Sequence, residues 1–422
     1  MVKKSSGANS SGPPQPPPPP PPPRVAAARS SASSTKPAAV GLGSRPGSAA
    51  DAPETDETRA QQQQQQQRLL NIFHDAFREV LSRDDFAAVL QEVKGALYRR
   101  DFETAFGTEQ FLEVYAARYS PPRALCYSKI LTQISGHLAS VLDAAVAAAA
   151  AAAATNTCED AEYEYEIERG RVSPTVDLEE NEGEMSAGAA ALRMLAIGGG
   201  AAEIVAFAAH LRDAGPGVAG DLTLLDVGPW REVVRKLHVG LTTPPVLSKY
   251  ASAAAKATNA ALVEPAERLK SAFVQRDVLE LDRAGLSELL GRTTTPLLVT
   301  MLFTLNELYT SGGVGKTTAL LRNLTAAVPA GSLLLVVDSP GSYSEAAVGK
   351  EAKRYPMQWL LDHTLLRVAD DKLLPSDGCT WEKLESHDSV WFRHPQGLRY
   401  SIELEDMRYQ MHLYRACPRS AD

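Results

Sequence analysis

The segment Met194-Leu195-Ala196-Ile197-Gly198-Gly199-Gly200-Ala201-Ala202-Glu203-Ile204-Val205 runs from an apolar stretch through three glycines into a helical pattern. Glycines at such a turn let the backbone bend tightly and approach a ligand closely. Gly198 and Gly200 stand at G-x-G spacing, and Ala202 replaces the third glycine with another small residue. The next apolar run, Leu222 to Val227, carries Asp226 near its end. A carboxylate at that tip can accept both hydroxyls of a ribose. After a third short run, Asp277 is placed to accept the exocyclic amine of an adenine. Gly198, Gly199, Gly200, Asp226 and Asp277, in this order on successive β–α units, point to an S-adenosylmethionine site.

A second glycine-rich loop competes with the first. Ser311-Gly312-Gly313-Val314-Gly315-Lys316-Thr317-Thr318 resembles the end of a phosphate-binding P-loop, and Leu333 to Asp338 resembles a strand whose aspartate holds magnesium. Thr310 stands where the full signature needs glycine, and Asn306 to Tyr309 separate the loop from its strand. The preferred reading is a helix start whose glycines and Lys316 meet a nucleic-acid backbone. Nucleotide hydrolysis remains as an alternative.

These loops need strands to aim them. Apolar runs at Arg193 to Ile197, Leu222 to Val227, Ala272 to Val274, Leu297 to Leu305 and Leu333 to Val337 alternate with helical stretches. Parallel strands buried on both faces read this way, so residues 187–417 are predicted to form an α/β domain. Tyr409, Met411 and Leu413 alternate with polar residues and, with Ser389 to Arg393, predict a closing antiparallel pair. Upstream, residues 68–146 read as a helical subdomain. Leu69, Phe73, Phe77 and Val80 recur at helical spacing. Ser82 with Asp85 suggests a capping box, Thr108 an N-cap, and Pro121-Pro122 a helix stop, with a further helix from about Leu125 to Val146.

Two segments lack the apolar residues that offset the entropy of ordering. Residues 1–67 hold a proline octet and a glutamine septet, Gln61 to Gln67, and read as a disordered tail. The tail's first fifty residues are basic, which leaves RNA contact or nuclear import open beside a plain linker role. Residues 147–186 begin with alanines and turn acidic, with eleven acids and two arginines from Thr155 to Ser186. They read as a disordered insertion, with an internal RNA mimic as the alternative.

The chain has 422 residues, with Lys+Arg 43 and Asp+Glu 51 for a net charge of −8. The acidic insertion accounts for that excess, so the remainder is close to neutral. A strongly basic nucleic-acid binder is excluded, while RNA binding through a local patch is not. Four scattered cysteines argue against a disulfide scaffold and fit a reducing compartment. The alanine-rich apolar run is too short to span a bilayer and the first residues lack a signal-peptide core, so a soluble intracellular protein is expected. No histidine pair has metal-ligand spacing, and no metal site is predicted.

The stretches Ala196 to Ile204, Leu224-Leu225-Asp226-Val227-Gly228-Pro229-Trp230, Phe303-Thr304-Leu305-Asn306-Glu307-Leu308-Tyr309, Val336 to Tyr343 and Glu405 to Arg415 resemble one family. It is the fungal 25S ribosomal RNA uridine-N(3)-methyltransferase family, of the class I, Rossmann-like type. The resemblance covers roughly residues 68–145 and 187–417. It implies a seven-stranded, mostly parallel sheet, S-adenosylmethionine as cofactor, and large-subunit rRNA within a pre-60S particle as substrate. A monomer in the nucleus or nucleolus, with some in the cytoplasm, is the expectation that goes with it.

On that resemblance Glu307 is the candidate base for the uridine N-3 proton and Asn306 its orienting group, with a helix-capping pair as the other reading. Pro340 to Tyr343 would line the base pocket, and Tyr343 or Tyr309 would stack on the uracil. Trp230 packs either on the adenosine or in the core. Ala196 departs from the class, which carries an acid two residues before the first glycine, and reduced cofactor affinity is expected. A non-catalytic ribosome-assembly factor that retains the fold is the alternative function. The helical subdomain is either an RNA-docking module or a partner-binding bundle.

Overall fold

Leucine- and valine-rich runs that bury both faces build the centre of the protein. The computed structural model describes residues 56–159, 190–291, 294–341, 343–348, 351–366 and 378–419. Strands β1 (Ala190–Ile197), β2 (Val218–Asp226), β3 (Leu269–Gln275), β4 (Leu298–Leu302) and β5 (Leu333–Asp338) are parallel. A separate antiparallel hairpin follows, β6 (Tyr343–Val348) with β7 (Glu351–Pro356). The antiparallel strands β8 (Thr380–Phe392) and β9 (Met407–Cys417) then extend the main sheet. Its order is β3-β2-β1-β4-β5-β9-β8, the seven-stranded Rossmann-like sheet that was expected. The hairpin was not foreseen.

Strand order reverses between β1 and β4, and open α/β sheets bind ligands at the carboxyl ends of the strands beside such a switch. Alternation along each strand divides the interior into two cores. Leu192, Met194 and Ala196 face one side with Leu333, Leu335 and Val337, while Leu195, Ile197, Leu334 and Val336 face the other.

The N-terminal helices are α1 (Asp56–Ala76), α2 (Arg78–Leu81), α3 (Phe86–Tyr98), α4 (Phe102–Phe106), α5 (Glu109–Gln133) and α6 (Ser135–Glu159). Those following the strands are α7 (Ala201–Ala214), α8 (Arg231–Thr242), α9 (Ala253–Ala257), α10 (Arg283–Leu289), α11 (Leu305–Ser311), α12 (Gly313–Ala327) and α13 (Met357–Leu366). Buried residues of α1 and α5 share one continuous core with α7, α8 and the sheet. Residues of α10 to α13 cover the opposite face. Among the described residues no single helix is long and apolar enough to cross a membrane.

Four boundaries differ from the sequence expectation, each for a physical reason. The glutamine septet lies inside α1, where Gln63 donates to the Gln396 carbonyl. Gln67 exchanges hydrogen bonds with both backbone groups of Arg399, at 2.8 Å each. Glutamine is also a good helix former, so low complexity here does not mean loss of structure. Helix α5 runs through Pro121 and Pro122 without stopping. Pro121 has no N–H for the carbonyl of Ala117, and the Tyr400 hydroxyl donates to that carbonyl at 2.7 Å instead. The alanine octet continues α6 as far as Glu159, alanine having the highest helix propensity. Residues 160–186 of the acidic segment and residues 1–55 lie outside the described residues. Thr108 caps α5 as expected, accepting from the Phe111 amide at 3.2 Å. The box at Ser82 and Asp85 does not form, because the Asp85 carboxylate is taken by the Arg83 guanidinium.

Phe73 is fully buried in the shared core and stacks on Phe77 with ring centroids 6.4 Å apart. Phe73→Ala is expected to destabilise the protein by about 3–5 kcal/mol. In urea, tryptophan fluorescence and helical circular dichroism should still lose their signals in one coincident transition. Two separated transitions would show that the helices fold apart from the sheet.

Candidate functional site

A cavity of about 410 Å³ opens at the carboxyl ends of β1 to β4, beneath α4 and α5. Its floor is the turn from β1 into α7. Gly198 has φ of +69°, and a side chain there would come within 2.3 Å of Thr304 Oγ1. A Cβ on Gly200 would come within 3.0 Å of the Trp230 ring. Gly198 and Gly200 line the cavity. Gly199 does not: its Cα packs over Ala196 and Leu224, so it serves the close approach of backbone to core.

Asp226 and Asp277 stand at the tips of β2 and β3 as predicted, and both line the cavity. Asp226 Oδ1 accepts from the Gly228 amide at 2.7 Å, and burial pushes this carboxyl up to about 6. Asp277 Oδ1 accepts from the Leu279 amide at 2.9 Å, which fixes its carboxylate at the rim. The three cavity-lining groups read from sequence as a nucleoside site, the glycine turn, Asp226 and Asp277, are therefore brought together.

At the tip of β4, Phe303 adopts φ of +58° and donates its amide to the Val337 carbonyl at 2.7 Å. A left-handed aromatic residue is strained, and such strain collects at functional sites. The following helix, α11, starts against Asp338, whose Oδ2 accepts from the Asn306 amide at 2.9 Å. Glu307 then projects into the cavity, its carboxyl raised to about 7 by burial, with Asp338 and Asp226 adding to the rise and Arg123 opposing it. Asp338 is itself raised to about 6 by burial.

Several predicted residues go elsewhere. Asn306 does not line the cavity; its backbone anchors the helix on Asp338. Tyr309 is a core residue, 3% exposed, because Leu305, Leu308 and Tyr309 form the inward face of α11. It cannot stack on a base. Lys316 is exposed, pairs with Glu280 at 2.7 Å and stays off the cavity wall. Pro340 follows β5 outside the wall, and Tyr343 opens β6 with its side chain beyond the described residues. The P-loop alternative is overturned. Ser311 to Thr318 joins α11 to α12 with no strand entering it, and Gly312 packs against Leu279.

Sequence reasoning missed the roof. Tyr115 and Arg123 reach the cavity from α5, and the Arg123 guanidinium donates to the Tyr115 hydroxyl. Arg123 also lies over the Tyr115 and Phe303 rings, at 5.4 and 5.3 Å from their centroids. Burial acts to lower its pKa, but Tyr115, Tyr127, Glu307 and Glu203 hold it above the ordinary arginine value. Phe106, Tyr115 and Trp230 form an aromatic cluster that closes the roof, with Phe106 and Tyr115 edge to face at 5.1 Å. Glu203 was missed as well. Its Oε2 accepts from the Gly200 amide at 2.8 Å, and burial raises its carboxyl to about 7. The spacing of Gly200 and Glu203, three residues apart at a helix start, was the available signal.

Ala196 is fully buried below the glycine turn, so the acid expected there has no open space. Glu203 instead brings a carboxylate to the same turn. A methyl donor with ribose, adenine and amino-acid parts fits these residues. The glycine turn leaves room that a Cβ would fill, and Asp226 and Asp277 offer acceptors at successive strand tips. Among the described residues no group of three or more His, Cys, Asp or Glu is arranged to hold a metal ion.

The model of a SAM-dependent methyltransferase family, Methyltransf_34, matches residues 73–415. The 25S rRNA (uridine(2843)-N(3))-methyltransferase of Saccharomyces cerevisiae is 27% identical over 346 residues, 77% of this chain and 76% of the yeast protein. Among solved structures, a SAM-dependent methyltransferase from Methanosarcina mazei is 9% identical with a TM-score of 0.29, covering 54% of this chain and 93% of its own. The 16S rRNA (adenine(1408)-N(1))-methyltransferase from Catenulisporales acidiphilia is 14% identical with a TM-score of 0.30, covering 54% and 89%.

The raised carboxyls have a signed effect on stability. Glu203 and Glu307 titrate at about 7 and Asp226 and Asp338 at about 6, above their ordinary values. Between about pH 4 and 7 the folded chain therefore binds more protons than the unfolded chain, and these groups withdraw stability as pH rises. Glu307→Gln cannot ionise, so scanning calorimetry of the ligand-free protein should show a smaller fall in Tm from pH 5.5 to 8 than in wild type. An equal fall in both proteins would place Glu307 in the ordinary carboxylate range.

Proposed function

Since the chain belongs to the SAM-dependent methyltransferase family Methyltransf_34, we propose that it methylates large-subunit (25S) ribosomal RNA at N-3 of a uridine. The single observation that carries this reading is the pairing of a nucleoside-sized cavity with an ionisable Glu307 at the tip of β4. The yeast relative's activity on a uridine N-3 of 25S rRNA supports the choice of substrate. A nuclear or nucleolar site of action, on a pre-60S particle, goes with that substrate.

Bound in the cavity, S-adenosylmethionine would supply an electrophilic methyl group on a sulfonium. The chain's own residues do the rest by holding, orienting and moving one proton. Gly198 and Gly200 bring backbone close to the cofactor, Asp226 accepts from ribose hydroxyls, and Asp277 accepts from the adenine amine. Uridine N-3 is a poor nucleophile until its proton leaves. A general base works best with a pKa near the operating pH, and Glu307 at about 7 meets that requirement. Phe106, Tyr115 and Trp230 give the cavity an apolar roof. The reading as a non-catalytic assembly factor rested on Ala196, and Glu203 supplies a carboxylate at the same turn.

A resting surface for RNA is further proposed at the outer edge of the sheet. Trp391 is 52% exposed near the end of β8, flanked by the Arg393 and Arg408 guanidiniums at 5.1 and 5.7 Å from its ring. Trp391 pairs with Arg408 across the strands, two residues along β9 from the Asp338 to Gln410 pairing that marks the carboxyl end of β5. An exposed indole between guanidiniums offers a base-stacking surface beside phosphate donors.

Methyl transfer to rRNA or pre-60S particles, read by mass spectrometry of nucleosides, tests the activity. Wild type should form 3-methyluridine at a rate that rises with pH through about 7. Glu307→Gln should lower that rate by roughly 10²–10⁴-fold and abolish the rise. Methyl groups appearing on another base would overturn the uridine assignment. Trp391→Ala should weaken RNA binding by about 1–3 kcal/mol in a filter assay while leaving cofactor affinity unchanged; unaltered RNA binding would remove the strand edge from the substrate path.

A further inference from the structure

Arg123 lies in the cavity wall with donors to spare. A guanidinium carries five N–H groups. Among the described residues its only side-chain hydrogen bond runs to the Tyr115 hydroxyl, and no carboxylate lies within ion-pair distance. None of its nitrogen atoms is sealed in protein without a partner, so the unused donors open on the cavity. The Tyr115 and Phe303 rings lie against it, their centroids 5.4 and 5.3 Å away. Glu307 and Glu203 stabilise the cation from a distance, but neither takes its free donors.

The order of strand tips indicates which anion. Asp277 on β3 and Asp226 on β2 mark the adenine and ribose end, and the glycine turn on β1 comes next. Arg123 stands at the far end, against Phe303 at the tip of β4, where an amino-acid tail extending from the ribose would arrive. That tail carries one carboxylate. The cavity-facing acids Glu203, Asp226 and Glu307 repel it, whereas Arg123 offers two parallel N–H groups of the kind that take a carboxylate bidentately.

We infer that Arg123, braced by Tyr115, binds the α-carboxylate of the methyl donor's amino-acid tail, so that the N-terminal helical layer supplies part of the cofactor site. This rests on the reading of the cavity as a methyl-donor site. It gives α5 a role that neither an RNA-docking module nor a partner-binding bundle would have.

Calorimetric binding of two relatives of the methyl donor separates the possibilities. S-adenosylhomocysteine keeps the amino-acid tail, and 5′-methylthioadenosine lacks it. Arg123→Gln should weaken S-adenosylhomocysteine by about 10- to 100-fold while leaving 5′-methylthioadenosine unchanged. Tyr115→Phe, which removes only the brace, should show a smaller loss confined to S-adenosylhomocysteine, and it keeps the test open if Arg123→Gln does not fold. Equal weakening of both ligands would make Arg123 structural and overturn the inference. Unchanged affinity for both would overturn it too, leaving the guanidinium to face the substrate base. Wild-type protein that binds neither ligand would overturn the methyl-donor reading itself, and the inference with it.

Discussion

A guanidinium keeps its proton under all ordinary conditions, whereas carboxyls can give theirs up or keep them. Arg123 therefore imposes a fixed positive charge on a partly enclosed cavity. Three acids near it are tuned by that charge and by burial. Glu307 and Asp338 are drawn down by Arg123 even as desolvation pushes them up, and Glu203 follows the same balance. These acids form a set that answers to one cation. The set exists only while α5 lies across the strand tips, so the helical layer and the sheet form one electrostatic unit.

The fold spends several unusual features on keeping α5 in place. Two prolines would ordinarily break a helix, yet the freed Ala117 carbonyl is met by the Tyr400 hydroxyl. The next residue, the buried Arg118, pairs with Glu405 from the segment leading into β9. Lys236 on α8 reaches Glu113 near the start of the helix. These ties come from two separate stretches of chain, the connection between β8 and β9 and helix α8, and both hold α5 from outside its own helical layer. Below it, Asp338 accepts from the Asn306 and Ser339 amides and thereby sets where α11 begins. Asp338 thus places Glu307 without itself lining the cavity.

Local features were legible in the sequence and long-range ones were not. The glycine turn, Asp226 and Asp277 each sit at the end of an apolar run, so period and punctuation alone locate them. Arg123 and Tyr115 lie on a helix whose register against the sheet depends on partners up to 287 residues distant in sequence, and no local pattern encodes that. Pro121-Pro122 misled for the same reason. Tyr309 was within reach: Leu305, Leu308 and Tyr309 have the spacing of a buried helical face, and the appeal of an aromatic stacker overrode it. The glutamine septet shows the opposite error, since composition suggested disorder where helix propensity and two side-chain contacts to the 396–399 segment give a helix.

The exchange of Ala196 for an acid shows how a site can keep its chemistry while moving its parts. A carboxylate on β1 would lie beneath the glycine turn, where Gly199 already packs against Ala196 with no space left. Placed on α7 as Glu203, the carboxylate accepts from the Gly200 amide and caps the first turn of the helix. It then braces the turn from its open side and faces the same cavity. A negative charge near a helix N-terminus is further favoured by the helix dipole. That arrangement explains how a strand without its acid can still present an intact glycine floor, and why the charge balance of the cavity rests on a helix and a roof as much as on the strand tips.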